Sequence, residues 1–141
     1  GTNLTTAPST GNEHGTAFAH LSGADLISGI ITSPASATFG NLLPAVKAGG
    51  GMWIGYGAAA PATTTITVGR HYAVLTGQVA APTATTGVLS SSDSAQLDRK
   101  LDDGVPASGG LQTLGTGCVS GTAYDEANTA ATCSILFRDL N

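Results

Sequence analysis

The sequence predicts an α+β domain: an antiparallel sheet packed against one N-terminal helix segment, with a short second helix near residues 92–102 and long loops. Three observations carry this prediction. Apolar residues recur at helical spacing between Glu13 and Ile31, yet alternate with period two in later stretches such as Met52-Trp53-Ile54-Gly55-Tyr56. Gly and Pro together number 26 in 141 residues, and Ser and Thr are abundant, which suits long connections built from small residues. A net charge of only −4, with apolar clusters recurring along the chain, separates it from a disordered polymer. At this length one domain, residues 1–141, is the default, and it is long enough to bury a core.

Composition also excludes functions. The five cations (Lys47, Arg70, Arg99, Lys100 and Arg138) are scattered, so no basic face exists for a nucleic-acid backbone and no nucleic acid is expected as a partner. No G-x-S-x-G elbow, H-E-x-x-H pair or phosphate loop occurs; neither enzyme activity nor a cofactor is expected.

Residues 1–12 have no period and read as an extended lead-in; Asn3-Leu4-Thr5 fits a glycosylation sequon that is common by chance. From Glu13 to Ile31 the steps Phe18, Leu21 and either Ala24 or Asp25, extended by Ala17, predict a helix stripe, with Asn12 as N-cap, Gly15 and Gly23 as weak points, and Gly29 as a stop. His20 stands out on this segment. With no partner at ligand spacing, it reads as an imidazole bonded to a loop carbonyl rather than as a metal ligand or base. Residues 32–51 are a loop around Pro34, Pro44 and Gly49-Gly50-Gly51. Strands follow at Met52–Tyr56, Thr64–Val68 and His71–Leu75, the last two joined through Gly69-Arg70 as an antiparallel pair. Arg70 beside His71 argues against a metal role for that imidazole. Gln78–Leu89 is a Pro/Thr/Ala loop, Leu111–Leu114 a short strand, Gly115–Thr132 a polar loop, and Cys133–Leu140 a final strand.

The most charged passage is Ser91 to Gly109. Ser91 or Ser92 caps a helix, Asp93 sits in its first turn, Arg99 and Lys100 sit in its last, and Gly104 and Pro106 end it. Leu97, Leu101 and Val105 make a narrow docking stripe. Asp98, Asp102 and Asp103 are weak candidate ligands for Ca²⁺, because hard cations take several oxygen donors, but their spacing is not that of an EF-hand. The simpler role for Asp102 and Asp103 is to accept backbone N–H bonds from the Gly104–Gly109 turn.

Cys118 and Cys133 lie fifteen residues apart, outside any CxxC or His-paired pattern. They are either two unrelated buried thiols or a disulfide. Few Lys and many Thr, Ser and Gly suit an exported chain, which favours the disulfide.

Two passages carry a family resemblance. Gly11-Asn12-Glu13 through Phe18-Ala19-His20-Leu21 to Ala24-Asp25-Leu26-Ile27-Ser28-Gly29 resembles the aromatic-x-His-Leu-x-x-Ala-x-Leu-Ile-x-Gly segment of type IV pilin-like proteins, a group that includes type II secretion pseudopilins and minor pilins. Leu97-Asp98-Arg99-Lys100-Leu101-Asp102-Asp103-Gly104-Val105-Pro106-Ala107-Ser108-Gly109 is similar to the Asp-x-Lys-x-Asp-Asp-Gly-x-Pro-x-x-Gly stretch of the same group. The C-terminal cysteine pair fits as well, since pilins often close a C-terminal loop with a disulfide. Asp25 departs from the pattern, which tends to have Gly there. The specific motifs cover about thirty positions. The resemblance implies a structural subunit of an extracellular or periplasmic filament, of type IV pilus or type II secretion kind. It implies other such subunits as partners, and an inner-membrane anchor before assembly through a hydrophobic N-terminal helix preceding these residues. A Ca²⁺-dependent binding or adhesion module of the bacterial surface is the alternative expectation.

Overall fold

A computed structural model describes residues 8–31, 35–57, 70–79 and 86–138. Its elements run α1 (Glu13–Gly23), β1 (Gly51–Gly57), β2 (Arg70–Thr76), α2 (Ser91–Leu101), β3 (Leu111–Leu114), β4 (Val119–Ser120), β5 (Ala123–Tyr124) and β6 (Ser134–Arg138). The chain is therefore α+β, as its two periodicities require. The expected strand at Thr64–Val68 and the sequon at Asn3 lie outside the described residues.

Four strands form one antiparallel sheet in the order β1-β2-β6-β3, while β4 and β5 make a separate two-stranded ribbon. The last strand thus inserts between β2 and β3, so the sheet closes only when the C-terminal segment arrives. Register fixes which faces meet: Trp53 opposes Val74, Gly55 opposes Tyr72, and Val74 opposes Leu136. These residues share one face, and Trp53, Tyr72, Val74 and Leu136, with Phe18 and Leu43, make the core. Glycine at position 55 is required by the close approach of its partner, because a Cβ there would lie 2.6 Å from Tyr72 Oη.

Helix α1 lies against β1. Asn12 caps it as expected, its side chain accepting the Gly15 N–H at 3.1 Å. Its buried residues are His14, Gly15 and Phe18. The expected stripe through Leu21 and Ala24 is only half right: Phe18 is buried, but both of the others are exposed. The helix ends at Gly23, six residues before the expected stop at Gly29, because Asp25 takes a left-handed φ of 57° and turns the chain away. The missing anchor is supplied by His14, whose ring stacks on Trp53 with centroids 5.4 Å apart. Tyr72 meets Trp53 edge-on at 6.2 Å, so one small helix face is held by an aromatic group rather than by a leucine stripe. Among the described residues no helix is long and apolar enough to cross a membrane.

Candidate functional site

Helix α2 organises the second half of the domain. Its cap is Ser90, one residue before the expected Ser91 or Ser92; the Ser90 hydroxyl accepts the Asp93 N–H at 3.1 Å. The displacement has a reason. Ser91 is turned inward, where its hydroxyl donates to the Cys118 carbonyl at 2.7 Å, and so cannot cap.

The buried face of α2 is Ser91, Ser94, Ala95 and Asp98, not the leucine stripe. Leu97 is half-buried, while Leu101 and Val105 are 64% and 43% exposed, which corrects the expected docking surface. Residues three and four apart share a helix face, so a small-residue stripe at 91, 94, 95 and 98 lets α2 lie close to β3 and β5. The Ser94 hydroxyl is satisfied within the helix by the Ser90 carbonyl at 2.9 Å. Asp98 is the one charged group on this stripe, and it is completely buried.

Burial of a carboxylate demands partners. Tyr124 Oη donates to Asp98 Oδ2 at 2.7 Å and lies 2.9 Å from Thr113 Oγ1, forming a buried relay from α2 through β5 to β3. The Gly104 N–H donates to Asp98 Oδ1 at 3.3 Å. Just beyond, Asp102 Oδ2 accepts the Leu111 N–H at 2.9 Å, and Asp103 Oδ1 accepts the Val105 N–H at 2.8 Å. The Ser108 hydroxyl donates to Asp103 Oδ2. Gly109 has a φ of +70° and packs against Asp102, where a Cβ would overlap the carboxylate. The Pro106 carbonyl accepts the Thr113 N–H at 2.8 Å, which ties the turn to β3. The expected role for Asp102 and Asp103 is therefore met in kind. Asp103 holds the turn itself, and Asp102 reaches past it to the first residue of β3.

The three carboxylates converge, with one oxygen of each lying within 4.8 Å of the others. Yet five of their six oxygens already accept a hydrogen bond from Tyr124, from the turn or from the first residue of β3. Ca²⁺ takes six to eight oxygen ligands, and the side chains gathered here supply only part of that number. Electrostatics divides the trio. Burial pushes the Asp98 carboxyl above the usual range; bonds from Tyr124 and Gly104 oppose this, and the Asp103 and Asp102 charges add to it. Asp103 moves the other way, held low by its bonds to Ser108 and Val105. Arg99 does not neutralise Asp98; it forms a two-pronged ion pair with Glu126 on the surface, holding the Glu126 carboxyl low.

The disulfide joins Cys118 and Cys133, both wholly buried, with Cα atoms 5.5 Å apart. It clips the start of β6 to the loop that carries β4 and β5. Cys133 also bonds through its backbone to Leu89, just ahead of α2. The acidic turn and the disulfide therefore hold opposite ends of one unit: α2, the ribbon, β3 and the entry to β6.

The histidines stand apart from this cluster's ligand set. His14 is in the core, His71 meets Tyr56 edge-on at 5.1 Å, and His20 is exposed on α1 beside Thr16, Ala19, Gly23 and Ala24. Among the described residues no loop carbonyl bonds the exposed His20 ring, unlike the bond expected for it. Sequence reasoning missed His14 and the Tyr124–Asp98 pairing. The spacing of Ser91, Ser94, Ala95 and Asp98 marks a close-packed face of α2, but nothing in it points to Tyr124. Comparison with protein-family models, curated proteins and solved structures finds no match to this chain.

Proposed function

We propose that this domain is the globular head of a type IV pilin-like or pseudopilin subunit, a structural part of an extracellular or periplasmic filament. The observation that carries the reading is the use the fold makes of the Asp98–Gly109 stretch. Its three carboxylates staple a turn and the start of β3. A residue pattern spent on holding a loop in shape is what an assembly subunit needs on its contact surface. The Phe18–Gly29 and Asp98–Gly109 motifs, the helix leading into an antiparallel sheet, and the disulfide-closed loop beside the last strand all support the same class. In this reading a hydrophobic helix ahead of these residues anchors the subunit in the inner membrane and then packs in the filament core. The head meets other subunits. The domain is not an enzyme and takes no cofactor.

The full-length precursor tests this. A short basic leader followed by a long hydrophobic helix with a Glu near its start is expected; a precursor with neither contradicts the proposal. The convergence of Asp98, Asp102 and Asp103 keeps one second reading, a Ca²⁺-dependent adhesion module. Calorimetry on chelator-treated protein separates the two: a structural turn gives no Ca²⁺ heat and no thermal shift.

A further inference from the structure

We draw no further inference here: the strongest candidate, the Asp98–Asp102–Asp103 cluster at the C-terminal end of α2, has its carboxylates engaged by the turn they hold, and nothing else at that place points to a ligand.

Discussion

Tyr124→Phe removes one hydroxyl from the centre of the α2–β5–β3 unit and leaves the ring to fill its space. In the native fold that hydroxyl donates to the buried Asp98 carboxylate at 2.7 Å and neighbours Thr113 Oγ1 at 2.9 Å. A hydrogen bond to a charged group contributes about 1.5–3 kcal/mol, and the upper part of that range applies when the remaining partner is left buried and unpaired. For a chain of this size each kcal/mol moves the melting temperature by about 3 °C, so a fall of about 5–9 °C is expected. Calorimetric melting of wild type, Tyr124→Phe, Asp98→Asn and the double variant isolates the pair. A coupling of about 1 kcal/mol or more is expected for residues in direct contact. A Tyr124→Phe melting temperature within about 1 °C of wild type, together with no coupling to Asp98, would refute the argument that the relay holds α2 to the sheet.

The same pair sets a pH dependence. The folded Asp98 carboxyl is raised, so its contribution to stability is complete below the ordinary carboxylate pKa and is lost as pH rises through the folded value. Wild type should therefore lose stability relative to Asp98→Asn between acid and neutral pH in chemical denaturation; a constant difference contradicts the assignment. Asp103→Ala should lower the melting temperature without changing Ca²⁺ calorimetry, and an unchanged melting temperature with altered Ca²⁺ heat reverses the structural reading. Replacing both Cys118 and Cys133 by Ser removes a crosslink spanning 15 residues and should cost roughly 3 kcal/mol, read from denaturant midpoints. Gly55→Ala should destabilise strongly, because its Cβ would meet the Tyr72 hydroxyl; a double variant adding Tyr72→Phe should recover part of the loss.

Much of the architecture was legible because it is local. Period-two alternation placed β1 and β2, and the Asn12 cap placed the start of α1. The turn chemistry of Asp103 followed from the known habit of aspartate to bond backbone N–H groups one or two residues on. What escaped notice was long-range. Nothing near Asp98 in sequence announces Tyr124, which is 26 residues away. The leucines of α2 looked like its docking stripe because apolar spacing is the usual guide. Here the sheet and ribbon approach so closely that only Ser, Ala and one hydrogen-bonded Asp fit, and Leu101 is left in solvent. The end of α1 was overextended for a related reason: a left-handed Asp25 is not a conformation that spacing alone predicts.

The central proposal, a filament subunit head, is tested most directly by immunogold electron microscopy of sheared surface filaments and of cell envelopes, using antibody raised against this domain. Gold spaced regularly along thin filaments, lost when the gene is deleted, is the predicted result. Gold confined to the cell body or to soluble fractions, with filaments unlabelled and unchanged in the deletion strain, would contradict it.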